Sequence, residues 1–494
     1  MYDCGMRIWF LFVLSVLVGF GQKQAEVDRI FAAFNTHTPG CAVGVSKNGK
    51  LELATGYGMA DLERQVAIGP GTIFESGSLA KQFTAATLML LEQQGKLSLD
   101  DAMGKYLPEL QGATARVTIR QVISHISGIR EWRPIATMGG RQEGTYVYTN
   151  EDLLEMAGRQ KALNFDAGSQ YSYSNTGYNI AVILVERVLG GKSFEEYTKE
   201  QIFAPLGMEM TSWRSRFRRI VPGRALAYGM GEGGVLEQAT PIENIIGAGG
   251  MLTTVGDLLK WNENFVHARV GGAGMVAAQQ KPAVLTGGKV IEYAAGLTVG
   301  EKEISHSGAT GGYRTWLGRY PAAGVSVAVM CNSAQANAVQ LGRRTAMLWT
   351  GGKEESREAG KRMEGMFRNL RDNTVVRGGR FVEAEGGRVK QVTPNGDVLF
   401  EKVEEWKSTG KELAELIGEY ESEETASRVV IGAGVKEGEL LLRVGATKLV
   451  LRPTFRDGFA GGAMSVVFRR DEAGKVVGMS VGDSRVWDLR FKRR

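Results

Sequence analysis

Cysteine, histidine and proline are scarce in this chain of 494 residues, at 3, 4 and 11. So few cysteines exclude a disulfide-stapled scaffold and a thiolate zinc site. No His/Cys/Asp cluster has ligand spacing, so neither a metal nor an organic cofactor is expected. Cys41 and Cys331 each lie inside an apolar, strand-like run. Two buried free thiols are the first expectation and a single disulfide the alternative. Charge of one sign is also lacking: a net +6 with a pI near 9.0 is a small excess over this length. No Lys/Arg stripe interleaved with aromatics occurs, which excludes nucleic-acid binding. Long apolar runs are absent except for Ile8 to Phe20, broken only by Ser15 and Gly19. That run follows Arg7, and Gly19 and Gly21 sit where a secretory signal is cut. Residues 1–21 are therefore expected to be a signal peptide and the protein periplasmic or secreted, with an uncleaved anchor as the rival. No integral membrane domain is expected beyond it.

Glycine, in contrast, is abundant at 67 residues, and 43% hydrophobic with 23% charged residues is an ordinary globular balance. The length implies more than one core. Gly40 to Val45 and Leu51 to Tyr57 read as strands around Lys47-Asn48-Gly49-Lys50, a strong hairpin signal. A helix is expected near Ser78 to Gln94, stopped by Gly95, because Phe83, Ala86, Leu90 and Leu91 recur at helical spacing. Ala294 to Val299, Gly312 to Tyr320 and Gly324 to Met330 read as strands returning to the first pair. Together they predict an α+β unit with an antiparallel sheet flanked by helices. After the charged stretch Lys353 to Arg362, short alternating runs broken by glycine predict a small β-barrel region. A weak echo between Gly365-Met366-Phe367 and Gly418-Glu419-Tyr420 leaves one or two units open.

Three short segments carry residues suited to nucleophilic catalysis. In Ser76-Gly77-Ser78-Leu79-Ala80-Lys81, Ser78 and Lys81 are three apart and share one helix face. A hydroxyl is a weak nucleophile until a base takes its proton, and a lysine in a partly dry cleft has a lowered pKa and can do so. The plain alternative is a helix cap followed by a solvated lysine. Tyr173-Ser174-Asn175 adds a phenol that can be held partly ionised beside the lysine, and an amide that can hold lysine and substrate together; the plain alternative is a tyrosine-rich loop whose rings pack against the core. His306-Ser307-Gly308-Ala309 enters the returning strands, and the amides of Ser78 and Ala309 could form an oxyanion hole. Gly308 would let backbone approach a substrate closely, and Arg314 would meet a substrate carboxylate or lie on the surface. His125 is expected to be structural, bonding backbone in a turn, and His267 to be exposed.

Ser78-x-x-Lys81, Tyr173-x-Asn175 and His306-x-Gly308, in this order, resemble the three-motif signature of penicillin-recognising serine hydrolases. Tyr at the head of the second motif is similar to the class C β-lactamase branch with its esterase and D-aminopeptidase relatives. His125-Ile126-Ser127-Gly128-Ile129 and Gly249-Gly250-Met251 resemble supporting segments of that family, and the likeness runs from about Val27 to Thr350. It implies a β-lactamase/transpeptidase-like domain over residues 26–352 and a lipocalin-like barrel region over 363–494. It also implies an acyl-enzyme on Ser78, with Lys81 and Tyr173 managing the proton and Asn175 and His306 orienting the parts. The substrate would be a small molecule or peptide with an ester, amide or D-amino-acid bond, peptidoglycan-derived material among the candidates. Two departures stand out. His306 occupies the place where β-lactamases and transpeptidases usually carry lysine, and Ala167-Gly168 the place of Pro-Gly. The first weakens the alternative of a class C β-lactamase or D,D-carboxypeptidase. A catalytically silent interaction protein is the remaining rival.

Overall fold

Asn48 and Gly49, at φ +49° and +76°, form the tight turn that joins β1 (Cys41–Lys47) to β2 (Lys50–Tyr57). Positive φ at both central positions suits the twist of a two-residue hairpin, and Asn-Gly is the pair that adopts it at least cost. The computed structural model describes residues 22–141, 144–352 and 360–494. The expected signal, 1–21, and most of the charged stretch Lys353 to Arg362 lie outside the described residues.

The hairpin is one edge of a six-stranded antiparallel sheet. The other strands arrive some 240 residues later: β3 (Thr298–Val299), β4 (Ile304–Thr310), β5 (Tyr313–Tyr320) and β6 (Val325–Cys331), in the order β3-β4-β5-β6-β1-β2. The strand expected from Ala294 is shorter than its β-propensity suggests, because Ala294 and Gly296 turn back toward Leu297 instead of pairing along an edge.

Side chains alternate across this sheet as the period of two requires. Val43, Val45, Val325, Val327 and Val329 face Trp349 of α5 (Ala338–Thr350) and the helix of residues 22–30. Ala42, Ala328 and Met330 face the main core with Val255 and Leu258 of α4 (Val255–His267). Gly44 lies on that second face, where a Cβ would meet Leu259 at 3.1 Å, so the small residue lets helix and sheet close up. The helical lobe packs on the main core through α1 (Ala80–Gln93), α2 (Trp132–Met138) and α3 (Asn175–Val188).

Cys41 and Cys331 correct the expectation of free thiols: they are joined in a disulfide. Their strands are neighbours, and register places the two residues directly opposite. Nothing local to either cysteine signals a partner 290 residues away.

The tail forms two closed barrels. Four strands, β7 (Lys361–Asn369), β8 (Val375–Glu383), β9 (Val389–Gln391) and β10 (Val398–Val403), enclose Phe367, Phe381 and Phe400. Eight strands form the larger barrel: β11 (Gly418–Ser422), β12 (Ser427–Ala433), β13 (Leu440–Val444), β14 (Thr447–Pro453), β15 (Gly458–Gly461), β16 (Met464–Arg470), β17 (Val476–Asp483) and β18 (Val486–Arg493). The two echoing sequence segments fall in the first strand of each barrel. The larger barrel is docked on the helical lobe. Met138, the last residue of α2, is buried in the barrel's core, and Arg130 forms a buried ion pair with Glu424. Among the described residues no helix is long and apolar enough to cross a membrane.

Candidate active site

The turn that carries Ser78 is fixed from three directions. Phe74–Glu75 pairs with Met251–Thr253, and Ser76 N–H donates to Met251 O at 2.8 Å. Glu75 and Arg214, both buried, form a two-pronged ion pair at 2.7 and 3.0 Å beneath it. Gly77 sits at φ +51°, where a Cβ would lie 2.7 Å from Ala309 N. Only glycine permits both that backbone and that approach. The 3₁₀ turn Gly77–Leu79 then runs into α1, so Ser78 opens the helix and Lys81 lies one turn on.

Lys81 is fully buried, and its Nζ lies 3.1 Å from Ser78 Oγ, 2.7 Å from Asn175 Oδ1 and 2.9 Å from Ala248 O. The last two groups only accept. A neutral amine donates its two hydrogens to them and turns its lone pair toward the Ser78 hydroxyl. Burial pushes the ammonium well below its ordinary range, Glu131 opposes this, and Arg485 and Arg133 add to it. The rings of Tyr173 and Tyr178 lie 4.8 and 5.5 Å from Nζ and exclude water. The arrangement can take a proton from Ser78.

Tyr173, just before α3, differs from the expectation of partial ionisation. Burial raises its phenol above the usual value, and a hydrogen bond with Ser78 offsets only part of the rise. Desolvation outweighs the neighbouring positive charge, so the group rests as a neutral phenol.

His306 is also neutral. Burial, with Lys81 adding, lowers it to about 4. Its Nδ1–H donates to Ser307 O at 2.6 Å, so Nε2 accepts from the Tyr293 hydroxyl at 3.0 Å. Both ring nitrogens are thus engaged, and the imidazole braces Tyr293. Tyr293 in turn is held by the small barrel, through its N–H and Asn395 Oδ1 at 3.1 Å.

A cavity of about 560 Å³ opens over these groups, lined by Ser78, Tyr173, Asn175, His306, Ala309 and Arg485 among others. Gly308 is packed against the serine turn, where a Cβ would meet Ser76 O at 2.1 Å and Ser78 N at 3.0 Å. Strand and turn therefore bring the Ser78 and Ala309 amides to one end of the cavity. Arg314 also lines it, with Nη1 donating to Gly311 O and Tyr313 O, each at 2.8 Å. The sequence candidates all lie at this one place. His125 lies behind them, its Nδ1 accepting from Ser174 N–H at 3.3 Å and its ring 4.1 Å from that of Tyr173. His267 is half-exposed near Glu263, away from the cavity.

Sequence reasoning missed Glu131, Tyr293 and Arg485. Glu131, only 2% exposed, accepts from Asn175 N at 2.6 Å and from Asn175 Nδ2 at 2.9 Å. It lies two residues past the His125-to-Ile129 segment, and no pattern in the chain links it to Asn175. Arg485 belongs to the turn between β17 and β18, which no local feature places at the cavity.

Comparison with known proteins fits this geometry. The Beta-lactamase family model matches residues 27–349. A D-aminopeptidase of Brucella anthropi is 31% identical over 290 residues, which span 56% of this chain and 52% of that protein. A D-aminopeptidase of Gluconobacter oxydans is 27% identical over 528 residues, spanning 95% of this chain and 98% of its own. The octameric penicillin-binding protein homologue from Pyrococcus abyssi shares the fold at a TM-score of 0.59 and 21% identity, with 96% of this chain and 99% of that one covered.

Proposed function

This chain belongs to the Beta-lactamase family, and from that premise we propose that it hydrolyses an amide bond following a D-amino acid through an ester on Ser78. The three contacts of Lys81 Nζ carry this reading. They leave a neutral amine facing the Ser78 hydroxyl at 3.1 Å, inside a cavity large enough for a dipeptide-sized substrate.

The steps follow from the positions. Ser78 Oγ bonds to the substrate carbonyl carbon as its proton passes to Lys81 Nζ. The carbonyl oxygen takes the negative charge between the Ser78 and Ala309 amides. Tyr173, a neutral phenol bonded to Ser78, gives its proton to the departing nitrogen and is reprotonated from Lys81. The C–N bond breaks and the amine leaves. Water then attacks the ester, its proton returning through Tyr173 and Lys81, and Ser78 is restored.

The D-aminopeptidase relatives support the choice of a D-aminoacyl substrate. The neutral, fully engaged His306 argues against a β-lactam-type carboxylate bound at that position. The buried Cys41–Cys331 disulfide, together with the apolar run before Gly21, supports an exported protein. The test is mass spectrometry of the intact protein after brief exposure to D-amino amides and to a fluorophosphonate. A mass gain localised to Ser78, absent from Ser78→Ala, is expected. Turnover of D-amino amides by a folded Ser78→Ala protein would sink the reading.

A further inference from the structure

We propose that Arg485, brought to the cavity by the eight-stranded barrel, binds a carboxylate on the portion of the substrate that is released. The substrate is then a short peptide ending in a free carboxylate close to the scissile bond. This rests on the hydrolase reading above and names the class of substrate within it.

The turn that carries Arg485 is held from both sides. Asp483 Oδ1 accepts from Arg485 N at 2.8 Å and from Val486 N at 2.7 Å. The catalytic domain grips the same turn: Asn164 Nδ2 donates to Arg485 O at 2.7 Å, Trp487 N donates to Asn164 Oδ1 at 3.0 Å, and Phe165 packs against Trp487 at 5.1 Å. Arg485 is therefore placed at the cavity by a fixed backbone.

Its side chain is uncommitted. The guanidinium lies 5.0 Å from the Tyr173 ring centre and makes no hydrogen bond or ion pair with a described residue. The other cations of the cavity are engaged. Arg133 pairs with Glu243 at 2.9 Å, Arg314 is bonded to the carbonyls of Gly311 and Tyr313, and Lys81 is held by Ser78, Asn175 and Ala248. A planar guanidinium stacked on a ring keeps its N–H edge free, and that edge matches a carboxylate in a two-pronged contact.

Position selects which part of the substrate is read. Tyr173 hands its proton to the departing nitrogen, so a cation stacked on Tyr173 stands on the leaving-group side. His306 on the same flank is neutral. A leaving amino acid with a free carboxylate satisfies Arg485, whereas the corresponding amide does not.

D-alanyl-glycine and D-alanyl-glycinamide share one scissile bond and differ only in that charge. The wild-type protein is expected to favour the acid in kcat/KM by about tenfold or more, and Arg485→Gln to lose that preference while Arg485→Lys keeps part of it. Thermal melting confirms that each variant is folded. An acid-to-amide ratio at or below one in the wild type, or a ratio unchanged in folded Arg485→Gln, overturns the proposal. Should the wild type turn over neither peptide nor any D-amino amide, the hydrolase reading has failed instead. Protection of Ser78 from the fluorophosphonate by N-acetylglycine against N-acetylglycinamide then decides the role of Arg485 alone, equal protection overturning it.

Discussion

Glu131 grips Asn175 at two points, backbone N–H and side-chain amide, and the amide oxygen of Asn175 is thereby turned to Lys81 Nζ at 2.7 Å. Glu131 touches neither Ser78 nor the cavity, so it acts as a positioning residue. It fixes which end of the Asn175 amide faces the lysine, and its charge opposes the loss of the Lys81 proton.

Glu131→Gln should therefore do two things at once. The two bonds go to different carboxylate oxygens, and glutamine puts an NH2 donor in place of one of them, facing an N–H of Asn175, so Asn175 shifts and kcat falls roughly 10- to 100-fold, the worth of a charge-assisted bond. Removal of the negative charge also lowers the Lys81 pKa further, moving the alkaline-rising limb of the pH–rate profile to lower pH. A fall in kcat with the limb unmoved would leave only a packing role.

His306 predicts an acid-side loss of stability. Its folded pKa of about 4 lies below the ordinary histidine value, so between roughly pH 6.5 and 4 the unfolded chain binds the extra proton. Stability therefore falls as pH drops through that window, by roughly 3 kcal/mol from this group. Denaturant titrations at several pH values should show a shallower fall for His306→Asn than for wild type.

The Cys41–Cys331 bond closes a loop of 290 residues and joins two central strands. Replacement of both residues by alanine should cost about 2–5 kcal/mol and lower the melting temperature, with activity retained in the folded protein. Equal melting of the two proteins would mean that the bond contributes nothing.

Arg130 and Glu424 join the helical lobe to the large barrel, and Arg130 Nη2 also donates to Asp488 O at 2.7 Å. Arg130→Met leaves the Glu424 carboxylate buried without its partner and should destabilise by about 3–5 kcal/mol. Combination with Glu424→Leu should recover part of that loss. Calorimetry that finds the double variant no better than the single would contradict the buried-charge explanation.

Whatever depends on local period was legible in the chain. Helical spacing put Ser78 and Lys81 on one face, Asn48-Gly49 announced its hairpin, and alternation after Gly365 announced barrels. The likeness of three ordered motifs to a known family then brought the catalytic segments together on paper. Two expectations failed for one reason. The Tyr173 phenol is neutral and the cysteines are paired because burial and strand register, which no window of sequence contains, decide both.

The sequence by itself determined that Ser78 and Lys81 share a helix face and that the frame is α+β, since each follows from short-range spacing or from motifs in order. Only the tertiary structure decided that Glu131 orients Asn175, that His306 is neutral and braces Tyr293, and that Arg485 reaches Tyr173 from a barrel more than three hundred residues away in the chain. Those three facts depend on desolvation and on contacts between distant segments, and such contacts exist only once the chain has closed on itself.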